Sequence, residues 1–169
     1  MPRLVMMSGL PGSGKSTLSR MLAEQSGATL LRIDVFEQDL RNLHGPDFDV
    51  GTLGYQEGYE RAARHLAAGH HVIADAVNAV EAARQGWRDV VGKSGADIVE
   101  IEILCSDVEE NRIRLQTRDT GIAGLPPVDP EAAAARRWEP SSANPQRIDT
   151  AGRTAEACLR DLLERTALT

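Results

Sequence analysis

The nine residues Gly9-Leu10-Pro11-Gly12-Ser13-Gly14-Lys15-Ser16-Thr17 fit the pattern G-x-x-x-x-G-K-[ST], and no other segment constrains this chain as much. They follow a short apolar run, Leu4-Val5-Met6-Met7. A buried strand, a glycine-rich turn and a helix start form the setting of a phosphate-binding loop. Glycines let the backbone curl around phosphate oxygens, so that successive N–H groups point into the loop. In that setting Gly12, Ser13, Gly14, Lys15, Ser16 and Thr17 would bind ATP. Lys15 would bring a cation to the outer phosphates, and Ser16 would offer a hydroxyl to Mg²⁺. The four fixed positions match by chance in roughly one chain in a hundred of this length, so a stray glycine-rich turn explains them poorly. Lys15 and Lys93 are the only lysines in an arginine-rich chain, which suits a site that needs a compact, flexible ammonium.

Bulk properties narrow the class further. A chain of 169 residues can bury a real core as one domain, and 41% hydrophobic with 26% charged residues describes a soluble globular protein. No apolar run approaches membrane-spanning length. The start, Met1-Pro2-Arg3, leads directly into the first strand, which leaves no room for a signal peptide. Cys105 and Cys158 match no metal spacing or redox motif and read as buried thiols, so the expected compartment is cytoplasmic. A net charge of −6, with arginines scattered among carboxylates, disfavours a nucleic-acid partner.

Strand-like and helix-like segments alternate along the chain, the pattern of a parallel α/β sandwich. Helices are expected from Ser16 to about Gln25, Val35 to about Leu43 and Leu53 to Ala68. Strands are expected over Ala28–Ile33 and His71–Ala74, ending at Asp34 and Asp75, and over Asp97–Leu104 and around Ile148. Asn78 to Glu81 and Ser106 to Glu109 have the form of capping boxes, and Asp129-Pro130 that of an N-cap with proline at the first helical position. The Gly/Pro-rich stretch from about 119 to 130 reads as a flexible lid, with Gly121 and Gly124 as hinges. No interdomain linker is visible, so residues 1–169 read as one domain.

Open α/β sheets bind ligands beyond the carboxyl ends of their strands. The glycine loop, Asp34 and Asp75 all fall there. One carboxylate facing a triphosphate can accept the proton of an attacking hydroxyl, and the other can position Mg²⁺ directly or through water. Asp34 also has a structural reading, since Asp34-Val-Phe-Glu37 could cap a helix. Asn78 could equally cap a helix or contact substrate. Arg112, Arg114 and Arg118 offer guanidinium groups for a migrating phosphoryl group, or else a solvated basic face. Arg136 and Arg137 divide in the same way between ATP and the surface. His70-His71 has no partner at metal spacing, so no zinc site is expected.

Together these motifs resemble the small P-loop kinases related to polynucleotide kinase, zeta toxin and chloramphenicol phosphotransferase, a group that includes bacterial AAA-family ATP-binding proteins. The features that carry it are Gly9 to Thr17, Arg32-Ile33-Asp34 with Leu40-Arg41, Gly69 to Asp75, Arg114 to Arg118 and Ile148-Asp149-Thr150. The resemblance implies a three-layer P-loop NTPase sandwich with a five-stranded parallel sheet in the order 2-3-1-4-5. It implies Asp34 as the base that activates the acceptor, Arg41 near the acceptor, Arg118 over the transferred group and Arg114 at the nucleotide. Arg41 lies further from the aspartate than in polynucleotide kinases, which disfavours a polynucleotide substrate.

The leading expectation is therefore an ATP- and Mg²⁺-dependent kinase acting on a hydroxyl of a small molecule. A polynucleotide or nucleoside kinase is the alternative enzyme, and an ATPase or switch without an acceptor is the alternative of another class. Against the last, Asp75 is followed by Ala76 rather than by a water-activating glutamate, and no N-K-x-D motif is present. The resemblance also implies an acceptor pocket built from a variable segment, roughly Asn42 to Tyr59, to which the residues themselves assign no chemistry.

Overall fold

Leu4, Val5, Met6 and Met7 are all buried because their strand, β1 (Arg3–Ser8), runs through the middle of a sheet covered on both faces. A computed structural model of the chain describes residues 1–168. After β1 the order is α1 (Lys15–Ser26), β2 (Thr29–Arg32), α2 (Ile33–His44), α3 (Leu53–Ala67) and β3 (Val72–Asp75). It continues with α4 (Glu81–Ser94), β4 (Asp97–Leu104), α5 (Val108–Thr117), α6 (Pro130–Ala134), β5 (Gln146–Asp149) and α7 (Ala155–Thr166). The five strands are parallel and lie in the order β2-β3-β1-β4-β5, as expected.

Successive residues of a strand face opposite sides of the sheet, and β1 shows this directly. Leu4 and Met6 join a core with Ile33, Ala62, Leu66 and Trp87, roofed by α2, α3 and α4. Val5 and Met7 join the opposite core with Leu18, Leu22, Ile103 and Leu162, roofed by α1 and α7. The three-layer sandwich follows from a strand apolar on both faces. Helix α3 seats closely: a Cβ at Gly58 would run into Ile33 and Trp87. α5 has only Leu115 buried and lies outside the main cores.

Three local expectations are corrected. Asn78 is not a cap, because α4 begins at Glu81 after Val80. Its φ is 51°, its side chain is fully buried, Oδ1 accepts from Trp87 Nε1 at 3.0 Å, and Nδ2 donates to the Met7 carbonyl at 3.2 Å. The cap of α5 is Asp107, which accepts from the Glu110 N–H at 2.9 Å, so the box sits one residue later than Ser106. Cys158 is buried, but Cys105 at the strand end is only partly so. The Asp129 cap and Pro130 stand as expected. Among the described residues no helix is long and apolar enough to cross a membrane.

Candidate functional site

The segment from Gly9 to Thr17 links β1 to α1 at the carboxyl edge of the sheet. Its carbonyls are drawn outward. Asn111 Nδ2 donates to the Pro11 carbonyl at 3.2 Å, and Thr150 Oγ1 donates to the Ser13 carbonyl at 2.7 Å. Gly14 is the N-cap of α1 at φ 93°, and Gly12 has φ 80°. Only glycine suits Gly12, where a Cβ would lie 2.8 Å from Asn111 Nδ2 and 2.9 Å from Leu115 Cγ. The first N–H groups of α1 have no partner within the helix and open toward a cavity of about 390 Å³. Ser13 Oγ is buried without a hydrogen-bond partner. The Ser13 N–H is taken by the Leu10 carbonyl at 3.2 Å, while the positive helix end and a hydroxyl awaiting a partner fit a phosphate chain.

Asp75 ends β3, with Met7 of β1 on one side and Arg32 of β2 on the other. It is buried, and the Lys15 ammonium donates to its Oδ1 while Arg32 Nε donates to its Oδ2 at 3.3 Å. Burial alone would raise its pKa. The Lys15 charge, hydrogen bonds from Lys15 and Ser16, and Arg32 outweigh burial and hold the carboxyl below its ordinary value. Asp75 is thus a fixed anion beside Ser16. A carboxylate and a hydroxyl supply part of the oxygen shell that Mg²⁺ takes, the rest coming from phosphates and water. Arg32, so far only part of a motif, has a second role. Its guanidinium donates to the Thr120 carbonyl at 3.2 Å and ties the start of the lid segment to β3 through Asp75.

Asp34 is not the helix cap. α2 begins at Ile33, whose side chain is needed in the core, so Asp34 falls in the first turn and Arg32 takes the cap position without a side-chain bond. No helix N–H is capped by its side chain, and the carboxylate faces the cavity, where Arg118 lies 3.8 Å away. Arg118 stands just past the end of α5, in extended conformation. Arg114 and Arg118 therefore do different things. Arg114 donates to Thr150 Oγ1 at 2.8 Å and to the Thr150 carbonyl at 3.1 Å, so it braces the loop from behind while still lining the first cavity.

Arg112 is half-exposed and paired only with Glu109, which is the surface reading. Arg137 is 84% exposed and paired with Glu139. Arg136 is different and lines a second cavity of about 510 Å³. That cavity shares Pro11, Asp34, Val77 and Arg118 with the first and extends over Glu37, Gln38 and Arg41 of α2 to residues 124–128 of the lid segment. Of the expected acceptor segment from Asn42 to Tyr59, Pro46 alone reaches it. Tyr55 and Tyr59 are instead structural. The Tyr55 hydroxyl accepts from the Asn78 N–H at 3.1 Å and its pKa is pushed up to about 12, chiefly by burial; the Tyr59 hydroxyl donates to the Ala83 carbonyl at 2.8 Å. Among the described residues no three His, Cys, Asp or Glu side chains gather as a metal cluster.

Comparison with known proteins agrees with this architecture. The AAA domain family matches residues 4–121. Uncharacterized proteins of Mycobacterium tuberculosis and Mycobacterium bovis are 31% identical over 163 residues, covering 89% of this chain and 32% of their own length. The chain thus spans about a third of these curated relatives. Among solved structures, a sugar kinase from Janibacter sp. HTCC2649 superposes with a TM-score of 0.73 at 17% identity, covering 100% of this chain and 96% of that one. A gluconokinase from Sinorhizobium meliloti 1021 gives 0.68 at 16%, covering 98% and 92%. The Mycobacterium tuberculosis APS kinase in complex with AMPPNP and APS gives 0.62 at 20%, covering 96% of both chains. The chain belongs to the AAA domain family and has the P-loop NTPase fold, as the resemblance implied.

Proposed function

We propose that this AAA-domain chain is an ATP- and Mg²⁺-dependent kinase that transfers the γ-phosphate to a hydroxyl of a small-molecule acceptor. The carrying observation is the meeting of two cavities at Asp34 and Arg118. One has the chemistry of a nucleotide site, and the other is the space beside it. The fold shared with the sugar kinase, the gluconokinase and the APS kinase supports the same reading.

In this reading the amides of Gly12 and of Gly14 to Thr17, with the Ser13 hydroxyl, hold the phosphate chain, and Lys15 turns from Asp75 toward the outer phosphates. Ser16 and Asp75 would hold Mg²⁺, which when bound neutralises charge on the β- and γ-phosphates. Asp34 accepts the proton of the acceptor hydroxyl as its oxygen bonds to the γ-phosphorus. The bond from that phosphorus to the bridging oxygen breaks, and ADP leaves with the electron pair. Arg118, close to Asp34 and common to both cavities, sits where charge spreads over the transferred group.

ADP release measured against a panel of hydroxyl compounds tests the proposal. Release that depends on an acceptor is expected. Equal hydrolysis with and without every acceptor would instead indicate an ATPase or switch.

A further inference from the structure

The second cavity carries more positive charge than its own carboxylates neutralise. Arg41 on α2 and Arg136 just beyond α6 line it, and among the described residues neither guanidinium has an ion-pair or hydrogen-bond partner. Arg112, Arg114, Arg118 and Arg137 all have carboxylate partners. Asp34 is occupied by Arg118, which leaves Glu37 to face both free guanidiniums. Burial and then Asp34 raise the Glu37 pKa while Arg41 and Arg136 pull it down, so one carboxyl stands before two guanidiniums.

The two arginines are also placed, not adrift. Asp34, Glu37, Gln38 and Arg41 stand at spacings of three, four and seven and so share one face of α2. Three residues beyond Arg136, the Glu139 N–H donates to the Ala79 carbonyl at 2.8 Å, and buried Arg84 donates to the Glu139 carbonyl at 2.6 Å. The Arg84 guanidinium also lies 5.0 Å from the Trp138 ring centre. Leu125, Pro126, Pro127 and Val128 supply an apolar wall. Beside such a wall, free guanidiniums are suited to bidentate binding of an oxyanion.

We infer that the phosphate acceptor itself carries an anionic group, a carboxylate or a phosphate, seated between Arg41 and Arg136 while its reacting hydroxyl reaches Asp34. The inference deepens the kinase reading and depends on it only for the fate of the hydroxyl. Seven residues of helix separate Arg41 from Asp34, a rise of roughly 10 Å. Even where the arginine side chain reaches back along part of that rise, a sugar-sized acceptor spans the remainder better than a three-carbon one.

Calorimetric titration of the whole chain with AMPPNP and Mg²⁺ present tests this. The probes are glycerol, glycerate and glycerol 3-phosphate, and glucose, gluconate and glucose 6-phosphate. Binding of a charged six-carbon member, with its neutral counterpart at least tenfold weaker, is the expected result. The carboxylate and phosphate arms then identify which anion is preferred. Arg41→Gln and Arg136→Gln should each weaken the charged ligand by about tenfold or more, with AMPPNP affinity unchanged. Equal binding of neutral and charged members, charged binding indifferent to both substitutions, or no binding by any member overturns the inference. A charged ligand bound through both arginines yet giving no ADP with ATP would leave the anion site between Arg41 and Arg136 standing, but would overturn its assignment to a phosphate acceptor and count against the kinase reading.

Discussion

Asp34 and Arg118 face each other at 3.8 Å across the line where two cavities join, although 84 positions separate them in the chain (118 − 34). Asp34 comes from the first turn of α2, Arg118 from just past α5. Asp34 does not cap its helix, and its one ion pair is long and partly exposed, so a substitution there should not unfold the protein. Asp34→Asn should therefore leave the urea midpoint nearly unchanged and lower kcat by roughly 10²–10⁴. Steady-state kinetics beside a denaturation curve checks both halves. Unchanged turnover would remove Asp34 as the base.

Arg118→Ala should lower kcat by about 10³ with little change in the KM for ATP, since its proposed contact forms as charge spreads in the transition state. Arg118→Lys should recover only part of the loss, because a point charge cannot copy a planar fork. Arg112→Ala is the control from the same stretch of chain. Its pair with Glu109 is exposed, and kcat and stability should stay close to those of the parent.

Thr150 connects the last strand to the phosphate loop. Its hydroxyl lies 2.7 Å from the Ser13 carbonyl and 3.1 Å from the Leu104 carbonyl, and accepts from Arg114. Thr150→Val keeps the shape and deletes these bonds. About 1–3 kcal/mol of stability should go, with AMPPNP affinity falling because the loop amides lose their brace. Chemical denaturation and nucleotide titration separate the two effects. Full nucleotide affinity in the variant would mean that the loop holds its shape without Thr150.

Asn78 carries a prediction of stability alone. Its amide accepts from Trp87, donates to Met7, and sits at a φ of 51° that asparagine tolerates better than most residues. Asn78→Ala strands the Trp87 N–H in the core and leaves the Met7 carbonyl with only the Ala76 N–H, and a loss of about 2–4 kcal/mol is expected by urea denaturation. Asn78→Asp should be at least as damaging, since it buries a charge.

These cases also mark how far the sequence could be read. The phosphate loop was legible because its chemistry is local: glycines, lysine and hydroxyls act within nine consecutive residues. Strand order was legible through the family resemblance. The alternative of a cap at Asp34 and the capping box at Asn78 failed because a capping pattern scores short-range bonds and cannot weigh the burial of Ile33 or the pull of Trp87. The second cavity was not legible for a related reason. Its walls come from α2, residues 124–128 and Arg136, which are brought together by tertiary packing rather than by spacing. Arg32 could have been suspected, because a parallel register sets the residue two before Asp34 beside Asp75.

Asp75 yields a prediction with a pH sign. Its folded pKa lies below the ordinary 3.8, held there against burial by Lys15, Ser16 and Arg32. A carboxyl depressed on folding contributes stability in full above its unfolded value and loses it as pH falls through the folded one. Asp75→Asn removes that contribution and leaves Lys15 without its buried partner, so at pH 7 the variant should be less stable by about 3–5 kcal/mol. Below pH about 4 the parent should begin to lose stability relative to the variant, and the gap should narrow with each further step into acid. Urea denaturation of both proteins at pH 7, 5, 4 and 3 reads this difference, with carboxyls common to both cancelling. A gap that stays constant, or widens toward acid, would show that Asp75 is not held ionised by its cationic neighbours.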